Sequence, residues 1–179
     1  MGFNKKQLEA HRRRLEALQS PRVVRLIESA LFAGGQVIEA HAKNSITLGS
    51  VSGAGHRPSA PGTPPNNDTG VLRNNIETTR AGVLKVHVTS SAPYAAIHEF
   101  GGTINHPGGT PYFMRDGLAV FVGKSGHGAY HGLPLTKPHK ITMPDRPYMR
   151  PARDARRREV ADLVSEAMNV AVRTSRRSA

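Results

Sequence analysis

Two apolar stripes of helical period bracket this chain, and they limit what it can fold into. After Ser20-Pro21, a capping residue followed by proline at the first helical position, Val23, Val24, Leu26, Ile27, Ala30 and Leu31 recur every 3.6 residues. Toward the other end, Val160, Leu163, Val164, Ala167, Met168 and Ala171 repeat the pattern. The first stripe predicts a helix running to about Lys43, with Gly34-Gly35 as a weak point inside it. The second predicts a long C-terminal helix, reached through an extended, proline-bounded lead-in from Arg146 to Ala152. Each stripe needs a surface to cover it, and the residues between them offer only short elements. The fold class expected is α+β, a small antiparallel sheet flanked by an N-terminal and a long C-terminal helix, with long irregular loops.

The intervening stretches support that reading. Asn4 to Gln19 is charged and helix-friendly, with Leu8, Leu15 and Leu18 at roughly helical spacing, so residues 1–19 read as a thinly apolar helical extension that packs on its neighbour or on a partner. Thr47 to Asp68 is rich in Ser, Gly and Pro and nearly free of large apolar groups, the composition of a surface loop or arm. Asp68-Thr69 is positioned to cap a turn of helix through Gly70-Val71-Leu72-Arg73. Ile76 to Arg80 and Val83 to Ser90 flank Ala81-Gly82 as a hairpin does. Pro93 to Gly102 reads as a short helix ended by glycine, with Tyr94, Ile97 and Phe100 on one side. A strand is predicted at Leu118 to Val122, whereas Gly123 to Met143 is turn-rich and histidine-rich and receives no assignment. With 179 residues the chain has the size of a single domain, 1–179, carrying extended loops at 47–68 and 103–145.

Charge then narrows the partners. A formal net charge of +12 and a pI near 10.9 favour acidic surfaces, whether nucleic acid, anionic membrane or protein. The cations gather at the two ends, in Lys5-Lys6, Arg12-Arg13-Arg14, Arg150, Arg153, Arg156-Arg157-Arg158, Arg173, Arg176 and Arg177. Five Phe, four Tyr and no Trp leave little material for the stacking platforms of single-strand binders. Without cysteine there is no disulfide framework, thiolate metal site or cysteine nucleophile. No apolar signal core opens the sequence and no apolar run approaches membrane-spanning length, so the expectation is a protein made and kept in the cytoplasm until something assembles it, with no membrane partner.

The chemical motifs dissolve on inspection. Gly117 to Ser125 ends like a phosphate-binding loop, but its glycines are one residue too far apart and Leu118 to Val122 between them reads as a strand. His98-Glu99 resembles the start of a zinc-protease helix, yet the second histidine needed one turn later is replaced by Gly102. His127 and His131 lie four apart with Tyr130 between them, and His106 and His139 lie within reach. All sit in glycine-rich sequence without paired carboxylates, so a solvated loop is the reading preferred over a metal site. No glycine-flanked serine elbow is present. No enzyme activity, cofactor or metal is expected.

Three segments, in this order, carry a resemblance. They are Thr69-Gly70-Val71-Leu72-Arg73-Asn74-Asn75-Ile76, then Pro93-Tyr94-Ala95-Ala96-Ile97-His98-Glu99-Phe100-Gly101-Gly102, then Asp145-Arg146-Pro147-Tyr148-Met149-Arg150-Pro151-Ala152. Together they resemble the tail-component family of lambdoid phages, a pattern similar to that of the lambda minor tail protein Z and the Mu virion morphogenesis protein, over roughly residues 20 to 175. The resemblance implies a non-enzymatic virion protein, located in the tail or neck, whose copies form a ring, six being expected. Its implied partners are further copies of itself, the tail tube protein and the head–tail connector proteins, with non-specific contact to DNA in the channel. The alternative is a basic DNA-binding accessory of packaging. The interface and structural residues it singles out are Thr69, Gly70, Leu72, Arg73, Tyr94, His98, Glu99, Phe100, Gly101, Arg146, Pro147, Tyr148, Arg150 and Pro151. Read physically, Leu72 and Ile76 point inward while Arg73 stays outside. Tyr94, Ile97 and Phe100 anchor the short helix and leave Glu99 on a different face. Glu99 is expected to pair with Arg146 or Arg150, because an acid in an apolar block is costly unless an arginine satisfies it.

Overall fold

A computed structural model describes residues 4–122 and 132–177. The N-terminal helix, α1 (Lys5–Leu18), opens with a capping box in which the Asn4 side chain accepts from Lys6 N–H while the Gln7 side chain accepts from Asn4 N–H. None of its residues is buried. The chain turns at Gln19-Ser20, and Pro21 opens α2 (Pro21–Thr47), which outruns the predicted end at Lys43 by a turn. Gly34 and Gly35 are not a weak point. A Cβ on Gly34 would lie 2.8 Å from Val160 Cγ1, and one on Gly35 would lie 2.6 Å from Thr78 Cγ2. The two glycines are where α2 is thin enough to be pressed from both sides, by the C-terminal helix and by the first β-ribbon.

That ribbon joins β1 (Ile76–Gly82) and β2 (Lys85–Ser90), antiparallel, with Thr78 opposite Val88 and a register shift between Arg80 and Gly82. The turn lies at Val83-Leu84 rather than at Ala81-Gly82, and Leu84 adopts φ 52 there. A non-glycine residue in this region is uncommon. Its N–H donates to the Glu28 carboxylate of α2 at 3.3 Å, while the Arg80 guanidinium lies 4.4 Å from the centre of the Phe32 ring. Helix α2 therefore forms the middle layer, with the ribbon on one side and α5 (Met149–Arg177) on the other. Helix α5 turns Ala167 and Ala171 fully inward and half-buries Val160, Leu163 and Val164. Met168 departs from the predicted stripe and is 52% exposed.

Below the glycine contact, Ala42 and Ile46 of α2, Leu72 of the short α3 (Val71–Asn74), Ile76, Ala92, Tyr148 and Ala152 form the buried core. Tyr148, 1% exposed, is among its largest side chains. The loop from Thr47 to Asp68 is tied back onto this body. Asn67 N–H donates to Ile46 O, Gly53 N–H to the Asp68 carboxylate, Gly62 N–H to Asp145 O, and Arg146 Nε to Ser59 O. Asp68 thus holds the loop and does not cap α3, whose N-cap is Gly70 at φ +81.

Among the described residues, the sheet predicted as one unit is three separate two-stranded ribbons. After α4 (Ala95–Phe100), β3 (Gly102–His106) pairs with β6 (His139–Met143), and between them β4 (Tyr112–Arg115) pairs with β5 (Leu118–Phe121), all antiparallel. Bonds from Thr136 N–H to Thr110 O and from Tyr112 N–H to Pro134 O connect the two ribbons into one arm. The described residues of this range thus hold four strands, where loop was expected apart from the strand at Leu118 to Val122. No described residue of this arm enters the core cluster. The end of the segment that resembles a phosphate-binding loop, residues 123–125, and the histidines His127 and His131 lie outside the described residues. No helix among the described residues is long and apolar enough to cross a membrane.

Candidate functional site

The three sequence blocks, far apart in the chain, meet at the start of α5. A helix of this length begins with backbone N–H groups that have no partner within the helix, and its dipole makes that end attract negative charge. Glu99, at the end of α4 and 5% exposed, supplies both partner and charge. One carboxylate oxygen accepts from Tyr148 N–H and Met149 N–H, the other from Arg150 N–H, each at 2.9 Å. Pro151 follows at a position where a missing N–H costs nothing. A residue 50 positions earlier in the sequence caps the helix.

The cap adds to the role expected of Glu99, an ion pair with an arginine. The acid is the buried side of α4, and Phe100, expected to anchor that helix, is 67% exposed. Tyr94 is exposed as well, and Ile97 half-buried. The arginine partner is Arg150, whose Nε lies 3.4 Å from the Glu99 carboxylate and whose guanidinium sits 5.6 Å from the Phe100 ring centre. Arg150 also donates through Nη2 to Glu99 O at 3.4 Å. Arg146 does not contact the acid. Its N–H donates to His98 O at 2.6 Å and its side chain holds the loop at Ser59. The lead-in is shorter than predicted, because helical geometry begins at Met149 and includes Pro151 and Ala152. Pro147 is half-buried ahead of it.

Gly101 explains why the second and third blocks lie together. It stands at φ +67, and a Cβ there would meet Asp145 N at 2.9 Å and Met143 O at 3.0 Å. Only glycine permits the crossing at no steric cost. From the first block, Leu72 and Ile76 enter the core beside Tyr148, while Thr69 and Gly70 line a cleft of about 290 Å³ opposite Tyr94 and His98. Arg73 is not outside as expected: it is half-buried, and its Nε is shielded without a hydrogen-bond partner among the described residues.

Electrostatics follow from the same geometry. Burial, aided by the Arg146 charge, holds the His98 imidazole below its usual pKa. Its ring meets Tyr94 edge-on at 5.6 Å, and its Nδ1 is buried without a partner among the described residues. Burial raises the Tyr148 phenol above its usual value; the Ser90 hydroxyl opposes the shift and the Glu99 charge adds to it. With both carboxylate oxygens of Glu99 engaged by backbone N–H groups, the His98-Glu99 pair is built for positioning. In the arm, His106 and His139 stack at 4.9 Å as a cross-strand pair. His106 Nδ1 accepts from Gly108 N–H, and His139 Nδ1 bonds to Lys137 O. Among the described residues no group of three or more His, Cys, Asp or Glu stands close enough to hold a metal.

Sequence reasoning missed two features of this region. The Glu99 cap links residues with no local spacing to betray it. The β3–β6 ribbon had a weak signal in the alternation of Thr103-Ile104-Asn105 and Lys140-Ile141-Thr142.

The family comparison, and not the fold, supplies the class, a tail component of bacteriophages. Residues 9–101 of the 179 match the family described as "Bacteriophage HK97-gp10, putative tail-component", and the chain belongs to that family. The match contains the first block and the second as far as Gly101, the residue before β3; the third block lies beyond it. No curated protein and no solved structure matches the chain.

Proposed function

We propose that this phage tail component is a non-enzymatic subunit of a closed ring, six copies being expected, placed at the head–tail junction, where it completes the tail and joins it to the connector. The observation that carries this reading is bare apolar surface on elements that add no residue to the buried core cluster. Leu8 and Leu15 on α1, and Met114, Leu118 and Phe121 on the arm, are all exposed. Apolar surface of this extent on a soluble chain marks places where other proteins bind. The capped α5 and the glycine-pressed α2 give a stiff body from which such surfaces are presented. The six-fold count, the tail tube and the connector come from the resemblance. The test is the mass of the purified protein in solution, alone and with isolated tails, followed by imaging. A closed ring, alone or on tail ends, supports the proposal; a chain that stays monomeric in both conditions defeats it.

A second reading, DNA contact, is favoured by the net charge and by exposed Arg157, Arg158 and Arg173. Such binding would be non-specific and would weaken steeply with salt. Protein that ignores tails yet binds duplex DNA in this salt-dependent way would favour the packaging role.

A further inference from the structure

The arm does not account for its own order. Two-stranded ribbons are marginal in water unless a third strand or a helix covers one face. Here one face of the β4–β5 ribbon gathers Tyr112, Met114, Ala119 and Phe121, with Leu135 beside them. Met114, Phe121 and Leu135 are more than half exposed. Lys137 borders this face, and among the described residues from β3 to β6 the only acid is Asp116. A covering surface must therefore be apolar and carry acids.

The same chain possesses such a surface where its own arm is not packed. From Glu159 to Val172, α5 contains Glu159, Asp162 and Glu166 and no Lys or Arg, in a protein of net charge +12. Flanking its buried side, Ala161, Ser165, Met168 and Val172 follow at spacings of four, three and four residues, one stripe of the helix with Asp162 along its outer edge. All four are exposed, with Met168 and Val172 the large apolar members. We propose that the Met114/Phe121 face of one copy's arm seats on the Ala161/Met168/Val172 stripe of a second copy, with Lys137 against Asp162. This rests on the ring reading and deepens it. The arm leaves the body beside Met149, and the stripe lies about 18 to 35 Å further along α5 at 1.5 Å per residue. Two different patches join, so the contact is head-to-tail, the kind that generates rings when the rotation closes.

Because the chain has no cysteine, single-cysteine variants report contacts without background. Met114→Cys and Met168→Cys proteins, mixed and mildly oxidised, should give mainly the 114–168 disulfide. The double variant should give a covalent ladder ending at the ring number. Phe121→Asp should shift the mass to monomer with the melting curve unchanged. Assembled protein that yields only 114–114 or 168–168 products, or none, overturns the arm-on-helix contact and leaves the ring standing. Unmodified protein that never assembles overturns the ring reading and this contact with it.

Discussion

The β1–β2 and β4–β5 ribbons are the same object locally, two antiparallel strands joined by a tight turn, yet they have opposite fates. Strand β2 alternates exposed and half-buried residues because one face lies against α2, whereas every residue of β5 is exposed. Hydrogen bonding within the two ladders is equivalent; what separates them is the helix behind the first. A ribbon becomes part of a protein core through what covers it, and the body of this molecule is the part that supplies its own cover.

The comparison predicts large effects in the body and small ones in the arm. The largest concerns the cap. Glu99→Ala strands three N–H groups at the buried start of α5 and should cost about 3 kcal/mol or more, read as a drop in melting temperature and in the denaturation midpoint. Arg150→Ala should cost under about 1 kcal/mol, since that arginine is 51% exposed and the ion pair is solvent-screened. Equal losses from the two variants would mean that the ion pair, and not the backbone cap, holds the helix.

Gly35→Ala comes next. In an ordinary helix this change gains about 1 kcal/mol, but here the new methyl collides with the β-branched Thr78, so a net loss of about 1–3 kcal/mol is expected. A gain would show that α2 and the ribbon can separate freely. In the arm, Phe121→Ser should change chemical stability by less than about 0.5 kcal/mol, as for a side chain outside the core, and a larger loss would mean that the arm is part of the folding unit.

The smallest effect is a pH dependence. His98 has a depressed folded pKa, so the unfolded chain binds its proton first on acidification. Its contribution is complete above the unfolded value near 6.5 and is lost as pH falls through the lower folded value. Stability measured from pH 7 downward should fall less steeply in His98→Asn, and an unchanged slope would show that His98 titrates as if unfolded.

Much of the body was legible in advance. The helical stripes, the turn of helix carrying Leu72, the inward Ile76 and the α+β class follow from periodicities of 3.6 and 2, which the chain carries locally. Sequence likewise sets the charge, the absence of thiols and the ordered blocks that mark the tail-component family. Tertiary structure alone decided the rest. Gly34-Gly35 reads as a weak point until Val160 and Thr78 are seen pressing on it, and Glu99 reads only as the partner of an arginine until the start of α5 is brought against it. Phe100 reads as an anchor by spacing, yet the buried side of α4 is taken by the carboxylate, because three orphan N–H groups and a helix dipole gain more from Glu99 than the core gains from another ring. Such choices depend on which surfaces meet across fifty or more residues, and no local pattern records that.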